Sequence, residues 1–408
     1  MSNTEPVSSP DLSSEGAELA AFTAEFRSWL ADNLPAEWQA VPFPRMWPPG
    51  DEQDPDTTRC REWHRLLFDG GWIAPGWPIE RGGRALDIKR RMVMVDEHAR
   101  AGSPVPIGFQ GIDILGPAIL EFGSEYQRDR FLKPILTAED IWCQGYSEPD
   151  SGSDLASMAT TAVRDGDTYI VNGQKVWTSF GRRASWCFLL ARTGDTGSRS
   201  RGISFLLTPM DAPGVEWRPI RQITGESDFG ELFLSDVHIP VEHRVGEEGE
   251  GWRVAMHSLA FERLLASSVS PLQRRVTKLI ELVRRGSCTP ELRTRVINVV
   301  IRLNALSGVQ ATALEMARTG DRRFSVWSSM LKIGTSELRQ EVASVAMSLL
   351  GADSTVSGPG AHAPSPFEGH VAARWAHEVL DATATTIYAG TSEIQRNIIA
   401  EQGLGLPR

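Results

Sequence analysis

The residue types that most often carry chemistry in proteins are spread along this sequence instead of being clustered. Its four cysteines and eight histidines lie far apart, and none of them falls into a spacing that binds a metal ion. No Gly-x-Gly-x-x-Gly motif follows a predicted strand, so a Rossmann dinucleotide site has no support. The sequence therefore predicts no metal site, and its chemistry must rest on other residues.

Two polar segments in the middle of the chain are the longest candidates. The first reads Gly145-Tyr-Ser-Glu-Pro-Asp-Ser-Gly-Ser-Asp154, and the second reads Val171-Asn-Gly-Gln-Lys-Val-Trp-Thr-Ser179. Asp165-Gly166 and Asn172-Gly173 suit tight hairpin turns, because glycine tolerates a positive φ angle there. Runs rich in β-branched and aromatic residues surround these turns and predict a compact antiparallel sheet or barrel. These runs are Ala159–Arg164, Thr168–Val171, Lys175–Ser179, Cys187–Arg192, Ile203–Pro209, Val215–Ile220 and Glu231–Ile239.

Helical patterns flank this central region on both sides. In the first part, Phe22, Phe26 and Trp29 recur at helical spacing. Further helices are predicted at Arg59–Phe68, Ile88–Ala101, Leu115–Phe122 and Glu125–Leu136. The last part predicts Trp252–Arg285 as one helix with a possible kink at Pro271, then Glu291–Thr319, Ser325–Leu350 and Phe367–Tyr388. A final helix starts near Ser392, where Ser392-Glu-Ile-Gln395 fits a capping box.

This order predicts an α+β fold with a helical domain, an antiparallel β domain and a C-terminal helical bundle. The expected boundaries are a disordered tail at 1–16 and domains at 17–138, 139–246 and 247–408. A net charge of −10 favours solubility and argues against a nucleic-acid surface. No apolar run approaches the ~18–20 residues that span a bilayer, and no secretory signal is predicted. The scattered cysteines are expected to be reduced thiols in a cytoplasmic protein.

The two central segments indicate a reaction only through their resemblance to a known family. Gly145–Asp154 followed by Val171–Ser179 closely resembles the paired signature of the acyl-CoA dehydrogenase family. The resemblance extends over roughly residues 20–408, through Trp77–Gly83, Gly202–Leu207, Ile223–Pro240, Gly251–Glu262 and Tyr388–Arg396. It implies FAD as the cofactor, an acyl-CoA thioester as the substrate and a C-terminal four-helix bundle as the third domain.

The resemblance also implies roles for individual positions. Family members hold the flavin ring with residues that match Gln144, Tyr146, Ser147, Trp177 and Ser179. Polar donors at such positions tune the electron affinity of the ring. Ser153 matches a position near the acyl thioester, and Thr391 matches a threonine near the cofactor. Two simpler alternatives remain: Trp177 could be a plain core aromatic, and Thr391 or Ser392 could only cap the last helix.

The family's reaction needs a base, which removes the α proton of the thioester while hydride leaves the β carbon for flavin N5. Many members carry this glutamate in a Tyr-Glu-Gly-Thr pattern, but here the pattern reads Tyr388-Ala-Gly-Thr391. Isovaleryl-CoA and long-chain dehydrogenases place it on the first long helix of the C-terminal domain, which corresponds to Glu262. The resemblance thus implies that Glu262 is the base and that the Ala389 backbone N–H donates to the thioester carbonyl. A solvated helix glutamate is the ordinary alternative.

Two segments depart from the family pattern on the half of the FAD site that faces a partner subunit. An Arg-x-x-Phe-Gly element is replaced by Leu282–Pro290, which keeps Arg284 and Arg285 but lacks Phe-Gly. A Gln-Ile-Phe-Gly-Gly element is replaced by Ser348–Ala352. The chain is therefore expected to form either a homodimer or homotetramer, or a heteromer with a related dehydrogenase subunit, as in the α2β2 assemblies of bacterial members.

Three functions remain open at this point. The first is an acyl-CoA dehydrogenase that passes its electrons to an electron-transfer flavoprotein. The second is a non-catalytic or FAD-sharing partner subunit of a heteromeric dehydrogenase. The third is an oxidase of the same flavin superfamily, which no feature of the sequence favours. The length and branching of the acyl group are not determined by the sequence, because the residues that line its pocket come from separate helices.

Overall fold

The computed structural model describes residues 12–39, 55–266, 268–286, 288–351 and 371–407. Within them, helices form both ends of the chain and strands form the middle, which confirms the α+β prediction. Most of the predicted disordered tail and of the Pro- and Trp-rich loop at Pro42–Pro55 lies outside the described residues. The Gly/Pro/Ser-rich loop at Ser354–Pro366 also lies outside them.

The secondary structure elements fall into three groups along the chain. The first group comprises α1 (Leu12–Asn33), α2 (Ala36–Gln39), α3 (Pro55–Asp69), α4 (Ile88–Ala101), α5 (Gly116–Phe122) and α6 (Glu125–Thr137). The second comprises β1 (Trp142–Gly145), β2 (Thr161–Asp165), β3 (Thr168–Ser179), β4 (Trp186–Arg192), β5 (Ile203–Pro209), β6 (Val215–Ile220), β7 (Phe229–Pro240) and β8 (Arg244–Val245). The third comprises α7 (Gly251–Ala266), α8 (Ser270–Arg285), α9 (Pro290–Thr319), α10 (Phe324–Leu350), α11 (Val371–Ala382) and α12 (Ser392–Ile398).

An aromatic cluster forms the core of the N-terminal domain. Phe26 on α1 lies 4.7 Å from the ring of Trp72, and Trp63 on α3 is fully buried beside Trp29. Much of the tryptophan content is therefore core packing, where each ring removes a large apolar area from water. Because α1 begins at Leu12, residues 12–16 are helical, and the prediction that the tail extends to residue 16 was wrong.

The start of α6 carries a capping box in the segment Ser124-Glu-Tyr-Gln127. The Ser124 side chain accepts from the Gln127 backbone N–H, and the Gln127 side chain accepts from the Ser124 backbone N–H. The Gln127 amide then donates to the carbonyls of Glu242 and Arg244. This one glutamine therefore completes the first turn of a helix and ties the N-terminal domain to the β domain.

The central strands form one sheet in the order β6-β7-β3-β2-β4-β5-β8, mostly antiparallel, with β1 pairing parallel to β4. The predicted turn at Asp165-Gly166 connects β2 and β3, and Gly166 has a φ of 58°. The predicted turn at Asn172-Gly173 was wrong, because both residues lie inside β3. The register shifts there, and the Asn172 side chain bonds Asp236 on β7, so the dipeptide forms a bulge.

The C-terminal domain begins with two helices where the sequence predicted one. The chain leaves the helix after Ala266 and resumes at Ser270, so Pro271 lies in the first turn of α8 and does not kink a longer helix. Proline fits that position because the first turn needs no N–H donor. Helices α8 to α11 then pack around a core that includes Leu279, Leu338 and Trp375.

Helix α9 meets the length and composition criteria for crossing a membrane. Its most apolar 18-residue window has a mean hydropathy of 1.2 and is 28% buried. The expectation that no segment approaches this length therefore needs correction. Support for a span is weak, since core helices of bundles meet the same criteria and Val299 and Leu303 of α9 pack into the bundle core.

Candidate active site

A buried ion pair joins the two signature segments. Lys175 on β3 has no exposed side-chain surface, and its Nζ lies 2.7 Å from Oε1 of Glu148. Nζ also donates to the carbonyl of Tyr146. The Glu148 carboxylate accepts from the backbone N–H groups of Ala159 and Thr160. The carboxylate thus holds both ends of the 148–160 loop against β3.

The charges of this pair stabilise each other in the interior. Burial alone would raise the pKa of Glu148, but the Lys175 ammonium and the hydrogen bonds to the carboxylate bring that pKa below its ordinary value. Burial lowers the pKa of Lys175, and Glu148 opposes that change. Neither partner is satisfied without the other, so removing one leaves a buried charge uncompensated. Sequence reasoning missed this role, because the register shift between Val171 and Gly173 changes which residues of β3 point inward.

The loop that follows β1 is fastened to β3 by its backbone. The N–H of Val176 donates to the carbonyl of Ser147 at 2.9 Å, and Glu148 and Ser151 exchange two backbone hydrogen bonds. Ser153 lies at the exposed tip of this closed loop. Ser153, which is predicted to lie near the thioester, therefore lies in an accessible turn whose backbone is held by hydrogen bonds.

Trp177 lies on the surface in a rare backbone conformation. Its side chain is 59% exposed and its φ is 60°, while Phe180 has a φ of 64°. The alternative that Trp177 is a plain core aromatic is therefore excluded. Non-glycine residues in the left-handed region cost about 1–3 kcal/mol each and cluster at functional sites. The end of β3 thus presents the Trp177 indole ring and the Ser179 hydroxyl on a surface whose backbone is strained.

Gln144 and Tyr146 lie next to this surface on β1 and at its end. Tyr146 is buried with its ring against Phe188, and Gln144 is partly exposed. The Gln144 Nε2 atom itself is buried and has no hydrogen-bond partner among the described residues. A buried donor without a partner costs free energy, so this amide is poised for a ligand that offers an acceptor.

A second wall of the site comes from the N-terminal domain. Phe109 packs edge-on against Phe180, with ring centroids 5.6 Å apart. The chain then forms a π-turn, Gly111–Leu115, of the kind frequent at functional sites. The Trp77 indole donates to the carbonyl of Ile112 and fixes this turn. The end of β3 and the π-turn therefore lie on either side of one region.

Helix α7 carries Glu262 along the same region. It starts at Gly251, where a Cβ atom would lie 2.3 Å from the backbone carbon of Ser204, so only glycine allows this approach to β5. Val254 and Ala255 pack into the core shared with the π-turn. The structure places Glu262 in the last turns of α7, but its side chain lies outside what the structure describes.

The segment before α12 presents Ala389 at the surface. Ala389 and Gly390 have φ angles of 52° and 87°. The Gln395 side-chain amide donates to the carbonyls of both residues at 3.3 and 3.5 Å. The predicted capping box at Ser392–Gln395 was wrong: Thr391 is the N-cap, and its hydroxyl accepts from the Ile394 N–H. Gln395 shapes the Ala389 turn instead.

A buried charged cluster anchors α11 just before that segment. Glu378 bonds Arg275 on α8 and Arg339 on α10, and Arg339 also bonds Asp381. Burial alone would raise the pKa of Glu378, but the two guanidinium groups bring it to about 2. Three helices are therefore held in one arrangement where the chain leaves the bundle for Ala389.

The loop between β6 and β7 contacts the C-terminal bundle. The Phe180 N–H donates to the carbonyl of Asp228, and Glu226 in the same loop lies 3.3 Å from His377 on α11. The structure thus brings together the end of β3, the π-turn, α7 and α11. It does not give side-chain geometry that joins Glu262 to Ala389.

Comparison with known proteins gives the class of this chain. Its residues 18–139, 143–237 and 249–404 match the N-terminal, middle and C-terminal domains of the acyl-CoA dehydrogenases. The chain therefore belongs to the acyl-CoA dehydrogenase family and is an oxidoreductase of that class. Members of the family are FAD-dependent, which confirms the predicted cofactor class.

Individual relatives are similar along nearly the whole chain. The acyl-CoA dehydrogenase IpdE1 of Mycolicibacterium smegmatis is 38% identical over 405 residues, covering 96% of this chain and 98% of the relative. The Tcur3481-Tcur3483 steroid dehydrogenase has a TM-score of 0.81 at 28% identity, with full coverage of both chains. The ChsE4-ChsE5 complex from Mycobacterium tuberculosis has a TM-score of 0.79 at 29% identity, with 99% and 100% coverage.

The described residues fit FAD. The exposed Trp177 ring offers an apolar face to a flat ring system, and the buried Gln144 amide needs an acceptor, which the ring carbonyls and nitrogens supply. The Ser179 and Thr391 hydroxyls are partly exposed at the two elements that border the site. The Thr391 oxygen accepts from the Ile394 N–H and caps α12.

Proposed function

We propose that this enzyme converts an acyl-CoA thioester to the trans-2-enoyl-CoA, with Glu262 as the base. Glu262 takes the α proton, and the backbone N–H of Ala389 donates to the thioester carbonyl, where negative charge builds up. Bound FAD supplies the acceptor for the hydride that leaves the β carbon. This proposal rests on the residue types at the two candidate positions of the base. The Ala389 turn offers no carboxylate, whereas α7 carries one at Glu262.

The remaining site residues bind and orient in this proposal. Gln144, Tyr146, Ser147, Trp177 and Ser179 hold the flavin ring. Thr391 donates to the cofactor from the C-terminal side, and Ser153 lies near the thioester. The exposed, strained Trp177 and the unsatisfied Gln144 amide support this assignment. The strain at Ala389 supports a fixed N–H donor, because the Gln395 clamp holds that turn.

Anaerobic titration of the purified flavoprotein with acyl-CoA thioesters tests the reaction. We expect the flavin absorbance to bleach and an enoyl-CoA to form in equal amount. A panel of short, long, branched and steroid-type thioesters identifies the acyl group. The steroid-type members are the first choice, because the similar Tcur3481-Tcur3483 protein is a steroid dehydrogenase. Failure of every thioester to bleach a flavin-saturated sample contradicts the proposal.

The electron acceptor and the compartment are further parts of this proposal. We expect an electron-transfer flavoprotein to reoxidise the enzyme and oxygen to do so slowly. Rapid release of peroxide would favour the oxidase alternative instead. We assign the enzyme to the cytoplasm, since all four cysteines are free thiols and three of them are buried.

We further propose that the working enzyme is a heteromer with a related dehydrogenase subunit. Ile297 and Ile301 lie one turn apart on α9 and are 52% and 59% exposed, which is an apolar face suited to another helical bundle. Arg284 and Arg285 end α8 without the Phe-Gly that follows in many relatives. The Tcur3481-Tcur3483 and ChsE4-ChsE5 relatives are each named for two proteins, which supports this choice.

Native mass spectrometry checks the assembly. We expect the chain expressed alone to be poorly loaded with FAD, and co-expression with a related neighbouring subunit to give a stable, flavin-loaded complex. The variant I297E/I301E should abolish that complex, while Glu291→Gln at the exposed start of the same helix should leave it intact. A flavin-saturated homotetramer from single expression would rule out the heteromer and the FAD-sharing alternative together.

A further inference from the structure

The α7–α8 junction, residues 268–270, is held by a carboxylate from the N-terminal domain. Asp96 on α4 accepts hydrogen bonds from the hydroxyls of Ser268 and Ser270, with Oγ–Oδ1 distances of 3.3 and 2.5 Å. The Ser268 oxygen in turn accepts from the Ser270 backbone N–H at 3.3 Å. One aspartate and two serines thus close a ring of hydrogen bonds at the residue where α8 begins.

The Asp96 carboxylate depends on these two serines. Burial raises the pKa of Asp96, and the nearby Glu97 carboxylate acts in the same direction, whereas the hydroxyls of Ser270 and Ser268 lower it. Hydroxyl donors stabilise the charged form of a carboxylate where water solvates it poorly. Asp96 and the serines therefore stabilise one arrangement together, and the loss of either side breaks it.

A second residue holds the same junction from the bundle. Gln310 on α9 is buried, and its Oε1 accepts from the Val269 backbone N–H at 2.7 Å. A buried N–H without an acceptor costs free energy, so this contact favours one backbone path between the two helices. Side chains from two domains therefore contact three consecutive residues of the chain.

Helix α4 is a rigid support for Asp96. Met94 of this helix belongs to the core of the N-terminal domain, and Met92 belongs to the core of the bundle. Arg274 of α8 also donates to backbone carbonyls in the last turn of α4, at 3.0 and 3.4 Å. The position of Asp96 is therefore determined by packing on both sides of α4.

Helix α7 is anchored near both of its ends, and Glu262 lies close to the second anchor. The close approach of Gly251 to β5 fixes the start of the helix, and Leu259 packs on the core. Glu262 lies about 6 Å of helix before Ala266, the last residue of α7. The end of a helix frays unless tertiary contacts hold it. The α7–α8 junction supplies such contacts directly after α7.

We propose that Asp96 is a positioning residue that holds Glu262 in place through the α7–α8 junction. This inference rests on the proposed role of Glu262 as the base. Proton removal depends steeply on geometry, and a shift of about 1 Å in a catalytic group lowers the rate by about 10²-fold. Asp96 thereby ties the helix that carries the base to the domain that carries the π-turn.

Asp96→Ala tests this inference in the flavin-loaded enzyme, with the thioester of the panel that bleaches the wild-type flavin fastest. We expect the limiting rate of flavin reduction to fall by about 10–100-fold, and exchange of the α hydrogen in D2O to fall in proportion. The half-saturating thioester concentration and the FAD content should change little, because Asp96 is assigned to neither binding site. Asp96→Asn keeps an oxygen acceptor and should restore most of the rate.

Two further variants separate positioning from overall packing. S268A/S270A removes the same hydrogen bonds from the other side and should reproduce the loss. It also carries the test if Asp96→Ala yields no flavin-loaded protein. Arg274→Met loosens α4 against α8 without touching the α7–α8 junction, so it should lower the melting temperature and leave the reduction rate unchanged. An equal loss of rate in Arg274→Met would overturn the inference.

A double variant shows whether Asp96 acts through Glu262. In the Glu262→Gln background, Asp96→Ala should cause no further fall in the reduction rate, since the base is already absent. A further fall by the same factor would mean that Asp96 acts on another group. If wild type and Asp96→Ala reduce their flavin equally fast, the dehydrogenation stands and the positioning role is wrong. If no thioester bleaches the wild-type flavin, both proposals fall.

Discussion

Replacing Glu262 by glutamine is expected to lower the rate of flavin reduction by acyl-CoA by about 10²–10⁴-fold, the contribution of a positioned general base. Glutamine has nearly the same size and cannot accept the α proton. FAD content should not change, because Glu262 is not among the residues assigned to the cofactor. Stopped-flow absorbance under anaerobic conditions measures the reductive step directly, and the absorbance ratio of flavin to protein measures loading.

A second measurement isolates proton removal from hydride transfer. Wild-type enzyme incubated with a thioester in D2O should exchange the α hydrogen, and Glu262→Gln should lose that exchange in the same proportion as the reductive step. Glu250→Gln is the matched control, since Glu250 precedes the other end of the same helix and forms an exposed ion pair with Arg253. Near wild-type turnover in Glu262→Gln would mean that the base lies elsewhere.

Removing Lys175 is expected to destabilise the protein by about 3–5 kcal/mol, the cost of leaving a buried carboxylate without its partner. Lys175→Met fills the same space with an apolar chain, but Glu148 then keeps its charge in the interior with only backbone N–H donors. The 148–160 loop loses its anchor, so FAD should also bind more weakly. Urea unfolding and flavin retention on dilution give the two readouts.

A double-mutant cycle attributes this effect to the pair. Glu148→Gln alone should also be strongly destabilising, and the double variant K175M/E148Q should lose clearly less than the sum of the two single losses. Lys278→Met removes the partly exposed pair with Glu281 on α8 and serves as the control. It should change stability by no more than ~1 kcal/mol. Additive losses in the cycle would show that Lys175 and Glu148 act independently.

The residues behind these two predictions could be found from the sequence to different degrees. Glu262 is predicted to be the base from the resemblance to the family, because the Tyr388–Thr391 pattern lacks the usual glutamate and α7 carries one. The Lys175–Glu148 pair was not identified, although both residues lie inside the two signature segments. Their contact joins positions 27 apart in the chain, and no local pattern encodes which strand residue points inward after a bulge.

Two errors in the predicted secondary structure have different origins. Asn172-Gly173 fits a hairpin turn by its dipeptide, but pairing of β3 with β7 continues past it, so the extra residue becomes a bulge. Ser392–Gln395 fits a capping box by spacing, but the Gln395 amide bonds the Ala389 and Gly390 carbonyls instead. Pairing with a distant strand decided the first case, and a competing contact five and six residues away in the chain decided the second.

The sequence by itself determined the class of this protein. The order of helical and strand patterns specified the α+β layout, and the two long segments specified, by resemblance, the acyl-CoA dehydrogenase family with its FAD. These features are local or are carried by runs of adjacent residues. Only the tertiary structure decided that Trp177 is exposed on a strained strand end and that Lys175 pairs with Glu148 in the interior. Those facts depend on burial and on contacts between segments that are far apart in the chain.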